Sequence, residues 1–252
     1  MALLGAPLAL AADVTDIGYV DQEALAAIPR FAAANRQLIA YKAELDKQFT
    51  QQVRGARSAD DQARIAQDFQ NRFAERQRQL LGPLFARAQV AIASVAASKS
   101  LSVVLDKRIV VFGGQDITKN VVDLIGGIAD PVPPINTPPP SRVGWVDQTQ
   151  IDALPSVKAA EQTFAKFQAD QQRIAQGKMK GARTDADRSK AMSDYQSAVG
   201  AEQKKDIQPI VDRTRGVVAD VARKRNLIMV VDRNNIIYGG TDVTADVTAV
   251  LK

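Results

Sequence analysis

The residues best suited to act on another molecule are two small clusters of cations, Arg54 with Arg57 and, further along, Lys178, Lys180 and Arg183. Each cluster surrounds a glycine, in Arg54-Gly55-Ala56-Arg57-Ser58 and in Lys180-Gly181-Ala182-Arg183-Thr184. Cations gathered in this way attract acidic polymers and anionic surfaces, whereas a single charge on a helix is as readily explained by solvation. The remaining composition narrows the chemistry. With no histidine and no cysteine, the chain cannot assemble a Ser-His-Asp or Cys-His nucleophile, a thiolate redox pair, or the usual nitrogen and sulfur metal sites. Its acids are scattered among Lys, Arg and Gln, with no spacing that promotes hydrolysis by paired carboxylates. Gly113-Gly114 lies where a phosphate loop could lie, but the GxGxxG and GxxxxGK patterns are missing. These features point to a protein that is not an enzyme and has no cofactor or metal.

The sequence is written twice. At an offset of 126 residues, Ile17-Gly18-Tyr19-Val20-Asp21-Gln22 returns as Val143-Gly144-Trp145-Val146-Asp147-Gln148. Phe112-Gly113-Gly114-Gln115-Asp116-Ile117-Thr118 returns as Tyr238-Gly239-Gly240-Thr241-Asp242-Val243-Thr244. Pro29 falls on Pro155 and Pro83 on Pro209, so the register never slips. A fixed period of this kind defines the architecture before any single element is assigned.

Each copy opens with a short apolar run, Ile17 to Val20 or Val143 to Val146, that favours a strand, followed by Asp21 or Asp147 as the N-cap of a short helix. A helix is expected over about 30–53 and 156–179, with apolar stripes of Leu38, Tyr41, Leu45, Phe49 and Val53, and of Phe164, Phe167 and Ile174. A longer helix is expected over about 59–99 and 185–225, carrying Ile65, Phe69, Phe73 and Leu80, then Met192, Tyr195, Val199 and Ile207. The glycine breaks between them fold each pair into an antiparallel hairpin with the basic clusters at the tips. Pro83 and Pro209 fall inside the second helix, where a proline kinks it or ends it. Leu101 to Leu105 with Ile109 to Phe112, and Leu227 to Val231 with Ile236 to Tyr238, read as β-hairpins. Thr118 and Thr244 read as N-caps of a last short helix.

Aromatic residues make up only 5% of the chain, so its core is small and much of its length is expected in elongated helices. Residues 1–12 are apolar and end in Ala9-Leu10-Ala11, the small-x-small pattern of a signal-peptidase site, with cleavage expected near Ala11 or Ala12. The stretch is shorter than the 20 or so residues that span a bilayer. Residues 126–142 hold six of the eleven prolines and read as an extended spacer between a module at 17–125 and another at 143–252.

The order of strand, long helical hairpin, paired strands and short helix, ending in Val230-Val231-Asp232-Arg233-Asn234-Asn235-Ile236-Ile237-Tyr238 and Asp242-Val243-Thr244-Ala245-Asp246-Val247, resembles the OmpH/Skp family of periplasmic chaperones. Val104-Leu105-Asp106 through Phe112 to Asp116-Ile117-Thr118 resembles the same element. The resemblance implies an α+β fold of two tandem modules, each a long α-helical hairpin on a small β body, with bodies pooled between modules into a barrel. It implies an ATP-independent periplasmic holdase whose partners are unfolded outer-membrane proteins. Duplication sets this chain apart from a family that normally supplies one module per chain.

The residue pattern favours pooled strands independently, because three short strands per module leave open sheet edges that closure would remove. A homo-oligomer through the β bodies follows. Client contacts are expected from the tip residues Arg54, Arg57, Lys178, Lys180 and Arg183, and from Phe69, Phe73 and Tyr195 along the arms, though an aromatic on such a stripe equally fits a helix seam. Anionic lipid is a second candidate surface. Nucleic acid is not expected, for want of zinc-finger or RRM patterns. A coiled-coil envelope spacer with no client is the alternative reading.

Overall fold

The computed structural model describes residues 15–252; the expected cleavage site near Ala11 and Ala12 lies outside them. The chain forms two compact units, one comprising residues up to Ser141 together with Asn235–Gly240, the other Arg142–Asn234 with Thr241–Lys252.

In the first unit, β1 (Ile17–Val20) leads through α1 (Gln22–Ala26) into α2 (Pro29–Gly55) and α3 (Ala59–Ser98). Asp21 caps α1 by accepting from the Glu23 and Ala24 backbone N–H groups, and Ser58 caps α3 by accepting from Asp61 N–H. The chain then forms β2 (Val103–Asp106), β3 (Gln115–Asp116) and α4 (Thr118–Gly126). The second unit repeats the order: β4 (Val143–Val146), α5 (Gln148–Asp152), α6 (Pro155–Gly181), α7 (Asp185–Glu202), α8 (Gln208–Lys224), β5 (Met229–Asp232), β7 (Thr241–Asp242) and α9 (Thr244–Leu251). Strand β6 (Ile236–Gly239) comes from the second repeat but belongs to the first unit.

The strands correct the expected β-hairpins. β1 is parallel to both β2 and β3, and β4 is parallel to both β5 and β7. The only antiparallel partner among the described strands is β6, which pairs with β2 in the register Val103↔Gly239, Val104↔Tyr238 and Leu105↔Ile236. After β2 and β5 the chain enters a single 3-10 turn, at Lys107–Ile109 and Arg233–Asn235, so the polar segments are turns as read. They do not return the chain onto the strand just left. Ile109–Phe112 forms no strand at all, and Val111 and Phe112 are fully exposed.

Close approach dictates the repeated glycines. A Cβ on Gly18 would sit 2.6 Å from Leu101 Cδ1, and one on Gly144 would sit 2.5 Å from Leu227 Cδ1. Helices α3 and α8 end alike, with Ser100 and Asn226 just beyond them in the left-handed region at φ 56° and 54°. Threonine plays a different part from the one expected. Asp116 and Asp242 accept the first amides of α4 and α9, from Thr118 and Thr244 at 2.9 Å, while the two threonine hydroxyls accept from Asp21 and Asp147 N–H at 3.0 Å. The threonines thus tie the last helix to the end of the first strand.

The prolines also act differently in the two copies. Pro83 is carried inside an unbroken α3, whereas Pro209 follows a π-helical turn at Gln203–Ile207. In that wider turn the Gln208 N–H reaches back to the Gln203 carbonyl, which lets the helix restart around a residue with no amide to donate. Residues 127–142 contain no helix. At their start, Arg87 donates to the Ile125, Gly127 and Ala129 carbonyls and pairs with Asp130.

Each unit has its own core. In the first, Ala88, Ala91, Ile92, Val95 and Ala96 of α3 pack with Val20, Leu101, Val104, Ile117, Val121 and Ile125. The α3 helix holds an 18-residue stretch apolar enough to cross a membrane by composition, and these five buried residues give that apolarity a packing role. In the second, Val146, Ile151, Leu154, Val157, Val221, Val243, Val247 and Leu251 form a smaller cluster.

Candidate functional site

The first arm is a hairpin of α2 and α3, whose contacts run in opposite order along the two helices. Phe49 meets Phe69 edge-on at 5.3 Å, Arg72 Nη2 donates to Gln48 Oε1 at 3.3 Å, Arg76 lies over Tyr41 at 5.9 Å, and Phe31 meets Phe85 at 5.7 Å. The 27 residues of α2 project the tip about 40 Å along the arm at 1.5 Å per residue. Leu38, Leu45 and Phe69 are buried in the seam, and the Arg72 guanidinium covers the Phe69 ring at 5.2 Å. Phe69 therefore holds the arm together and is not presented to solvent as a client contact. Phe73 is half-buried and, with Leu45, Phe49, Ala66 and Phe69, lines a shallow groove of about 260 Å³ rimmed by the Lys42–Asp46 ion pair.

In the second arm, α6 against α7, the fully buried seam positions are small. Ala175 and Ala191 are its buried positions, Tyr195 is half-buried, and Ile174, expected in the apolar stripe, is 50% exposed. Phe164 and Phe167 of the expected stripe are half-buried; Ile174 lies off it because the buried face continues through Ala175.

All five tip cations are exposed. Arg54 ends α2, Arg57 stands in the connecting loop, Lys178 and Lys180 end α6, and Arg183 stands in the second loop. The cations at the ends of α2 and α6 complement the negative end of a helix dipole. Besides their cations, the tips carry acids. Asp60 and Asp61 occupy the first turn of α3, and Asp185 and Asp187 that of α7, where the dipole favours them. Thr184 and Asp187 complete a capping box. Lys178 pairs with Asp194 across the second hairpin at 3.4 Å. No acid among the described residues lies within ion-pair distance of Arg54, Arg57, Lys180 or Arg183.

Sequence reasoning missed the apolar side chains that the arms leave in solvent. Ile39 is 70% exposed and Phe85 53%, and Met192 is also exposed. Ile39 could have been found, since it falls one residue off the Leu38, Tyr41, Leu45 stripe and must face outward on a helix of 3.6-residue period.

Charge is more constrained at the base of the first unit. Asp106 is fully buried and accepts from Gln22 Nε2 at 2.7 Å, from the Arg108 backbone N–H at 2.9 Å and from the Arg108 guanidinium at 2.6 Å. Burial opposes its ionisation, but these donors prevail and hold the carboxyl below the usual carboxylate range. Asp21 is likewise held low by Lys107, 2.9 Å away, and by the α1 amides. Such groups stabilise strand ends and turns.

The arrangement presents exposed cations at both tips and scattered exposed apolar side chains along the arms. Residues 55–125, from the first tip through α3 to α4, match the family described as outer membrane protein (OmpH-like). No curated protein and no solved structure matches the chain.

Proposed function

From the match of residues 55–125 to the OmpH-like family, we propose that the chain is an ATP-independent periplasmic holdase whose two helical arms bind unfolded outer-membrane proteins. Its sequence repeat makes it a tandem of two such modules, 17–125 and 143–252, separated by the proline-rich spacer. The α+β fold with long helical hairpins accords with this reading. One observation carries it: both arms expose separated apolar side chains, Ile39 on the first and Ile174 and Met192 on the second, beneath tips whose cations are mostly without acidic partners.

Each apolar contact is weak alone, and a long disordered client sums many of them while the tips hold it by charge. Release follows when the client folds or inserts elsewhere, which needs no nucleotide. The N-terminal apolar stretch supports export.

The test dilutes a denatured outer-membrane porin from urea into the protein and follows turbidity and complex mass over a range of salt. Arg54, Arg57, Lys180 and Arg183 are then replaced together by Gln. The expected result is suppressed turbidity with the parent protein, and about tenfold weaker binding with a flatter salt response in the variant. Unchecked aggregation with the parent protein would favour the spacer reading, and an unaltered salt response would remove the tips from the mechanism.

A further inference from the structure

The second repeat lacks two rings that the first contains. In the first unit Phe31 of α2 is buried in a cluster with Leu25 and Leu81, and its ring meets that of Phe85 of α3 at 5.7 Å. The 126-residue offset carries Leu25, Phe31, Leu81 and Phe85 onto Ile151, Val157, Ile207 and Val211. All four line one cavity of about 430 Å³ in the second unit, bounded by α5, α6, the π-helical turn and α8. The aliphatic positions stay aliphatic, and valines stand where the rings were.

Three features make this more than loose packing. Its volume lies within the roughly 300–1,000 Å³ of small-molecule sites. The π-helical turn Gln203–Ile207 ends on its wall, at Ile207, and such turns recur at functional sites; α3 passes through the equivalent residues as unbroken α-helix. The lining is also graded. Ile151 and Val157 are buried, whereas Glu161 and Arg215 are exposed at the mouth and stand in no ion pair among the described residues.

We propose that this cavity binds a small molecule with one aromatic ring and a polar substituent. The ring lies against Ile151, Val157, Ile207 and Val211, in the place that phenylalanine rings take in the first unit, where dispersion and exclusion from water favour it. Water finds few polar partners on that aliphatic wall, and an apolar cavity of this kind admits a benzene ring. The substituent stays at the mouth, where Glu161 offers acceptors and Arg215 donors.

This binding needs neither the arm tips nor a client, so its test contains no client and stands apart from the holdase reading. The probe, 4-fluorobenzyl alcohol, is titrated into the whole protein and followed by its fluorine NMR signal. Saturable binding of one probe per chain is expected. Val157→Phe/Val211→Phe rebuilds the ring pair of the first unit and should bind the probe about tenfold more weakly or worse, with an unchanged or raised melting temperature as the cavity fills. Val211→Phe alone, a change at a half-buried position, should weaken binding in the same direction. Non-saturable binding to the parent protein, or equal affinity in the parent and both variants, would overturn the proposal. So would a lower melting temperature in the double variant, since it would show that the site has no room for a ring.

Discussion

The two repeats share a frame and differ in how it is filled. Gly18 and Gly144, Ser100 and Asn226, and Thr118 and Thr244 occupy matching places with matching geometry. Around that frame the first repeat has an aromatic arm seam and a strand, β2, covered on both edges. The second has a seam whose fully buried positions are alanines, and an open strand edge at β5. Backbone demands such as a tight approach or a left-handed residue persist between the copies, whereas the large apolar side chains set how firmly each copy closes on itself.

Substitutions that erase the contrast give the largest expected effects. Phe69→Ala removes the ring between Phe49 and Arg72 and should cost the first arm about 3–5 kcal/mol, as a buried Phe-to-Ala change does. Tyr195→Ala in the second arm should cost about 1 kcal/mol or less, because that ring is half in solvent. Hydrogen exchange resolved along each arm reads both, and equal losses would remove the distinction between the seams.

Gly239→Ala should make the first repeat behave like the second. At φ 69° a Cβ would lie 2.2 Å from the Ser102 carbonyl oxygen, a backbone atom that cannot swing aside. A loss of about 3 kcal/mol is expected from the strain and the broken β2–β6 pairing. Chemical denaturation should show it, together with faster exchange of β2 amides.

Asp106→Asn tests the charge buried beside that strand. Because the folded carboxyl is held low, the stability it confers is present above the ordinary carboxylate range near pH 4 and is lost as pH falls through the depressed value. The variant should be about 1–3 kcal/mol less stable at pH 7, with the gap from the parent protein narrowing as the solution is acidified. Asp232 accepts from Asn234 N–H at 2.7 Å and is half-exposed, so Asp232→Asn should cost less.

Lys178→Gln has the smallest expected effect, within about 0.5 kcal/mol of the parent, since its pair with Asp194 is exposed. A denaturation midpoint shifted beyond that range would mean the pair is a structural latch of the second arm.

Local chemistry was legible in the sequence. The Asp21 and Asp147 caps, the glycine breaks at the tips and the polar turns after β2 and β5 all stand where their residue types require. The partner of each strand was not legible. A β-branched run, a turn and another β-branched run is also how a hairpin reads, and only the 3-10 turns and the non-local β2–β6 pairing separate the two. Phe69 shows the same limit on a helix, because an apolar stripe announces burial without naming what buries it. At the tips, the cations could be counted from the sequence, but not the Lys178–Asp194 pair, whose partners are 16 residues apart.

The most direct test of the account is hydrogen exchange of the whole protein with and without an unfolded outer-membrane porin held in excess. Slowed exchange along both arms is predicted, strongest over α6 and α7 around Ile174, Ala191 and Met192, where apolar side chains are exposed. Arms that exchange at the same rate with and without client, or protection confined to the β strands, would contradict it.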